Sequence, residues 1–297
     1  MKLRYLFLLF TTVLLATCES YDQDSYQEYV VVESYAVANN PLPPVRVFTT
    51  GPANQRYDAL ESTIANANVQ IVQRAADGDV INIYEYRYSD KDGGVYEPIL
   101  DDIVQPKSTY ELIVDFEDRD ETVRAVTTVP DQFEILNQVP PSIIYQATEQ
   151  LEIIISETER TQDQNVFVFS TIAEDTSLAN LTPFYSATVD DGNAEVSDFV
   201  INSSGLINEG NFEINEDGTI TLQFPWIGVA FYGKNRIVTQ SVDENLNDLV
   251  RSQQVQLGGS TLSPGEIPNL IYNTSGGIGI FGSLSSDTVT TVIERPF

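Results

Sequence analysis

The chain has 297 residues, enough for one large or two ordinary domains, with 15 Lys and Arg against 44 Asp and Glu, a formal net charge of -29, and no histidine. Hydrophobic residues make up 42% and aromatics 10%, so a core can form. The acidity opposes phosphate backbones and excludes nucleic acid as a partner, and the missing histidine excludes Ser-His-Asp and Cys-His catalysis and His-ligated zinc or haem.

Residues 1–18 read as a bacterial secretory leader. Lys2 and Arg4 precede an apolar run over residues 5–15, which at 11 residues is too short to anchor as a span. The run ends Leu-Ala-Thr-Cys at residues 15–18, which resembles the lipobox of bacterial lipoproteins. That resemblance implies cleavage before Cys18, attachment of lipid through its thiol, and a bilayer as the first partner. Cys18 is the only cysteine, so no intramolecular disulfide is available. Residues 19–28 are acidic and polar and read as a tether. Such a stretch resembles a signal for export to the outer face of the outer membrane in some Gram-negative groups; the alternative is a solvated linker.

From residue 29 the pattern has period two, with turn residues between runs. Strands are expected at residues 28–37, 45–50, 68–73, 79–88, 94–98, 109–116 and 122–129. Residues 51–66 are ambiguous, with room for one helical turn. In the sixth strand Tyr110, Leu112 and Val114 share one face while Glu111 and Asp115 share the other. Seven short strands in about 100 residues predict an immunoglobulin-like sandwich over residues 29–130. Prolines at 130, 140 and 141 break the pattern and place a boundary there.

Residues 131–297 read as a second β-rich domain. Strands are expected at 151–155, 165–172, 184–189, 199–202, 219–224 and 226–232, with a hairpin turn at Asn215-Glu-Asp-Gly218. One helix is expected at about residues 241–256, with Ser241 and Glu244 as a capping box, Val242, Leu246, Leu249 and Val250 on one face, and Gly258 as the stop. The tail adds short strands at 278–281 and 288–293. The fold class is therefore all-β with one short helix.

Few motifs carry chemistry. Gly277, Gly279 and Gly282 have dinucleotide-fingerprint spacing, but no helix or βαβ unit follows, so the glycines fit better a strand that another backbone approaches closely. Asp190, Asp191, Asn193 and Glu195, and separately Asp115, Glu117, Asp118, Asp120 and Glu121, are oxygen clusters that could hold calcium; neither has EF-hand spacing, and turn chemistry accounts for both. Tyr84, Tyr86 and Tyr88 line one face of a strand and could bind peptide or glycan, although Glu85 and Arg87 opposite them point the tyrosines toward the core. Two carboxylates suffice for glycoside hydrolysis, but no spacing singles out a pair, and the single Trp226 supplies no multi-indole sugar platform.

The whole chain resembles the domain-of-unknown-function 4249 family of outer-membrane lipoproteins. The likeness rests on the Cys18 lipobox, the acidic spacer, Tyr29-Val-Val-Val-Glu33, Ala67-Asn-Val-Gln-Ile71, Gly94-Val-Tyr96, Thr109-Tyr-Glu-Leu112, Val129-Pro130 and residues 273–282. The first domain is also similar to the carboxypeptidase-regulatory-like sandwiches of TonB-dependent receptors. These resemblances imply a lipid-anchored, non-enzymatic protein of the outer membrane, on its surface or periplasmic face, that serves a TonB-dependent receptor as a ligand-capture accessory. No cofactor and no catalytic or ligand-binding residue is implied. A structural or adhesive surface module and a carboxylate-dependent hydrolase are the alternatives.

Overall fold

The computed structural model describes residues 26–52, 54–257 and 269–296. Cys18 with its leader, most of the acidic tether and the expected helix stop Gly258 lie outside the described residues. Among the described residues there are seventeen strands and two α-helices. The chain is all-β, as its alternation predicts.

The first seven strands are β1 (Val30–Val37), β2 (Val45–Thr49), β3 (Ala67–Arg74), β4 (Val80–Tyr88), β5 (Val95–Pro98), β6 (Thr109–Phe116) and β7 (Thr122–Thr128). All seven fall where the alternation places them. One sheet runs β1-β2-β5 and the other β3-β6-β7, and β4 belongs to both: residues 80–85 pair with β3, while Tyr86, Arg87 and Tyr88 pair with β5. The inward residues of the two sheets meet in one core, in which Val32, Val47 and Tyr96 face Val69, Leu112 and Val123. Tyr84 and Tyr86 are buried in that core and Tyr88 packs at its edge, whereas Glu85 and Arg87 are exposed. The core reading of the three tyrosines holds.

The remaining strands are β8 (Ser142–Ile144), β9 (Leu151–Ile155), β10 (Val166–Ala173), β11 (Ile201–Ser203), β12 (Ile207–Asn208), β13 (Glu213–Ile214), β14 (Ile220–Phe224), β15 (Gly233–Val242), β16 (Thr274–Ser275) and β17 (Ile278–Glu294), with α1 (Pro183–Asp190) and α2 (Glu244–Leu257). The large sheet continues as β11-β10-β15-β17, and the small sheet β13-β14-β9 faces it across Ile153, Phe167, Phe224 and Ile237. The expected turn at residues 215–218 joins β13 to β14, with Gly218 at φ 81° and the Asn215 amide donating to the Thr219 carbonyl at 2.8 Å.

Three local expectations are corrected. Residues 184–189 form helix α1 rather than a strand: Pro183 occupies its first turn, where a missing amide hydrogen costs nothing. Residues 226–232 are not a strand, because Trp226–Gly228 is a 3-10 turn and Phe231 makes only an isolated bridge to Leu181. Ser241 does not cap α2. It stays in the ladder of β15, opposite Ser285, so the helix begins later and Asp243 caps it, accepting from the Leu246 amide at 2.9 Å. Leu246 and Leu249 do face the core.

Strand β17 ties the molecule together. Its first part, residues 278–284, runs parallel to β1, and its second part pairs with β15 from Leu284 to Ile293. Just before it, β16 adds to β7. The three fingerprint glycines lie on this strand's approach to its neighbours. A Cβ on Gly279, whose φ is 132°, would stand 1.9 Å from the Val32 carbonyl oxygen; one on Gly277 would stand 2.8 Å from that of Val30; one on Gly282 would meet Leu246 of α2 at 2.5 Å. Gly277 and Gly279 let this backbone come close to β1, whereas Gly282 leaves room for the Leu246 side chain. Beside them Asp243, only 3% exposed, accepts from Thr127 Oγ1 at 2.5 Å and Asn245 Nδ2 at 3.0 Å, linking β7 to α2. Asn273 fixes the same corner: its amide donates to the Phe281 carbonyl at 2.7 Å, and its Oδ1 accepts from the Phe281 amide at 2.9 Å.

Candidate functional site

An apolar cavity lies between β10, β11, β14 and the N-terminal part of α1. It has a volume of about 360 Å³. Phe169, Ile207, Leu222, Phe224 and Ile227 supply its walls, and Tyr185, Asn202, Ser203 and Ser204 its polar groups. No Asp, Glu, Lys or Arg lines it. A concave apolar space of this size with a few converging neutral polar groups is the usual form of a small-molecule site.

Each polar group is already held in place. Tyr185 Oη donates to the Ile227 carbonyl at 2.6 Å and accepts from Asn202 Nδ2 at 2.6 Å, and Asn202 also donates to Ile227 O at 3.1 Å. Ser203 and Ser170 share a hydroxyl contact at 2.8 Å, while Ser204 Oγ accepts from the Phe169 amide at 3.0 Å and donates to the Gly205 carbonyl at 2.8 Å. Burial raises the Tyr185 hydroxyl above the usual phenol value, against the hydrogen bond from Asn202. It is a neutral donor and acceptor, not a base. Gly228 is required beside it, because a Cβ there would stand 2.5 Å from the Phe224 ring. The 3-10 turn at Trp226–Gly228 therefore presses Phe224 into the wall. The lining residue Ile227 is more than half exposed, as are Phe184 and Ile201, the chain neighbours of Tyr185 and Asn202.

Polar hollows lie elsewhere, among them one of about 260 Å³ beside Tyr26, Thr50, Arg56 and Glu61. Another of about 150 Å³ has Thr128, Gln162, Asp243, Glu244 and Asn245 in its lining. A third, about 540 Å³ and open, lies beside Asn66, Asn68, Asp115 and Glu117. Asp115 there accepts from Thr122 Oγ1 at 2.6 Å.

The calcium candidates are placed as turn and cap residues. Asp190 ends α1 and Asp191 is its C-cap, Gly192 follows at φ 71°, and the Asn193 amide donates to the Thr188 carbonyl at 3.1 Å. Glu195 caps the 3-10 turn Val196–Phe199 reciprocally with Asp198. Asp118, Asp120 and Glu121 are exposed on the loop between β6 and β7. Among the described residues no group of three or more His, Cys, Asp or Glu is gathered as a metal would need. No described helix is long and apolar enough to cross a membrane, which says nothing about strands. Nothing in the sequence points to the cavity: its lining comes from separate elements spanning residues 169–228, joined only by folding.

No functionally curated protein matches the chain. Among solved structures, a tetra-tandem repeat from the extending region of a large adhesion protein aligns with a TM-score of 0.24 at 9% identity, over 89% of this chain and 50% of that one. An alpha-2-macroglobulin from Escherichia coli aligns at 0.22 and 8% identity, over 73% of this chain and 14% of its own. One from Salmonella aligns at 0.24 and 10%, over 90% and 15%. This chain thus spans half or less of each, and overlap at these scores carries no functional meaning. The family model is another matter: the model described as Domain of unknown function (DUF4249) matches residues 19–290, nearly the whole chain, from the acidic segment to the last strand. The protein belongs to the DUF4249 family.

Proposed function

We propose that the protein is a lipid-anchored, non-enzymatic module of the outer membrane that captures a small ligand and serves a TonB-dependent transporter. The observation that carries the capture role is the cavity of about 360 Å³, with apolar walls, neutral hydrogen-bonding groups and no charged side chain in its lining. Such a site offers burial and orientation, but no group poised to take or give a proton at neutral pH. Its ligand is a small molecule with an apolar body and one or two neutral polar groups facing Tyr185 and Asn202. The formal charge of -29 repels anions on approach and favours neutral or cationic ones. The anchor and the transporter rest on the Cys18 lipobox and on what the family resemblance implies.

The test is isolation of the full-length, tagged protein from the cell envelope in mild detergent. An outer-membrane barrel that accompanies it in fixed ratio, and palmitate label on the wild type but not on Cys18→Ala, are the expected results. A protein that never brings down a barrel, in cells whose nutrient uptake is normal after its deletion but whose surface properties change, would make it an adhesive or structural module instead.

A further inference from the structure

We infer that the free edge of β4 is a docking site for an extended, lysine- or arginine-bearing segment of a partner protein, added as a further strand. The inference does not depend on the cavity. Over residues 80–85 β4 pairs with β3 on one side only; β5 reaches its other side from Tyr86 onward. The last bond on that side is the Ile99 amide donating to the Glu85 carbonyl at 2.9 Å. Backbone groups alternate between the two sides of a strand, so Ile83, two residues earlier, turns its N–H and C=O to the same side as Glu85. Among the described residues no strand lies there.

The side chains along this edge are apolar and in water. Val80, Ile81 and Ile83 are 51%, 53% and 55% exposed, and Ile99 and Leu100 just beyond β5 are 49% and 69% exposed. Proteins usually protect such an edge with lysine, proline or a covering loop, because it templates strand pairing. Here no lysine, arginine or proline occurs in residues 75–86, and the irregularity opposite Gln73 and Arg74 leaves residues 82–85 in regular register. Within residues 75–86 and 99–102 the charges are all negative, Asp77, Asp79, Glu85, Asp101 and Asp102, each exposed; Arg87 lies beyond the free stretch, and Arg74, opposite Val80, is paired with Glu111. That field selects the occupant. A second copy of this chain would bring the same acids against them, whereas a strand alternating apolar and basic residues would gain backbone bonds, apolar contact and opposite charge together.

The probe is a peptide of about eight residues, a strand's length, alternating isoleucine with lysine, added to the full-length protein; a glutamate-for-lysine version is the control. The expected results are saturable binding that weakens by about tenfold or more between low and physiological salt, no binding of the acidic control, and slowed hydrogen exchange at the Ile83 amide. Ile83→Pro removes that amide hydrogen without touching the β3 ladder, so it should abolish binding at an unchanged unfolding midpoint. Should it unfold, the double change Ile81→Lys with Ile83→Lys replaces it, since both side chains are exposed. An Ile83 amide already protected in the free protein, equal binding of both peptides, or self-association of the chain through this edge would each overturn the inference.

Discussion

Replacement of Gly279 by alanine tests the seam between β17 and β1. The new methyl would stand 1.9 Å from the Val32 carbonyl oxygen and 2.9 Å from the Val32 amide nitrogen. Ordinary contact begins near 3.4 Å, so β17 and β1 must part by about 1.5 Å, enough to break the adjacent ladder hydrogen bonds. Two such bonds are worth about 1 kcal/mol each. Alanine at φ 132° adds strain of about 1–3 kcal/mol. Together the loss is about 3–5 kcal/mol, a large share of the stability of an ordinary domain. Two alanine controls separate the contributions. Gly78 sits at φ 91° with nothing within 4 Å of a Cβ, so its replacement costs only the backbone preference, about 1–2 kcal/mol. Gly210 has open space and no positive φ, so its replacement should change stability by less than about 1 kcal/mol. Urea unfolding followed by circular dichroism ranks the three. If Gly279→Ala proves no worse than Gly78→Ala, close approach of β17 to β1 is not what the glycine serves.

Glu111, 8% exposed, accepts from Arg74 Nε at 2.7 Å and Arg124 Nη1 at 3.1 Å. Burial opposes its charge, but the two arginines outweigh it and hold the carboxyl below its ordinary value; its stabilisation is therefore present above pH 4.5 and lost as pH falls through the folded value. Glu111→Gln should cost about 1–3 kcal/mol at neutral pH and nothing at low pH, read by urea midpoints across that range. Asp243 behaves oppositely: burial raises its carboxyl despite hydrogen bonds from Thr127, Leu246 and Asn245, so its contribution is full below pH 3.8 and declines as pH rises through the raised value. Asp243→Asn, which keeps a cap, should stay within about 1 kcal/mol of wild type at neutral pH and remove that decline; an unchanged pH profile would refute it. Thr239 is fully buried and its hydroxyl has no hydrogen-bond partner, so Thr239→Val should leave stability unchanged or raise it by up to about 1 kcal/mol in the same assay. A loss would mean that the hydroxyl is satisfied in solution.

The first seven strands were legible because most inward positions are apolar: in β6 Tyr110, Leu112 and Val114 alternate with Glu111, Ile113 and Asp115, and Ile113 is the one apolar residue among the latter three. Strand β15 escaped for the converse reason. It buries Asn235, Ile237, Thr239 and Ser241, a regular alternation in which three of the four inward residues are polar. Helix α1 was hidden by aromatic and β-branched residues, Phe184, Tyr185, Thr188 and Val189, although Pro183 ahead of them was the legible signal. The two tail strands merged into β17 because the residues between them, Ser283 and Ser285, are buried as polar side chains. That β17 pairs with β1, more than two hundred residues earlier, has no local signature; only the glycine spacing hinted at a backbone drawn close. The cavity had no signature at all, since its polar groups come from α1 and β11 and its walls from β10 and β14.

The most direct test of ligand capture is native mass spectrometry of the full-length protein isolated gently from the cells that make it, beside Leu222→Trp, which fills the cavity from β14. The account predicts one small molecule, with an apolar body, retained by the wild type and absent from the variant, whose circular dichroism is unchanged. A well-folded variant that carries the same molecule in the same amount, or a wild type that carries none even after incubation with extracts of the growth medium, would contradict it.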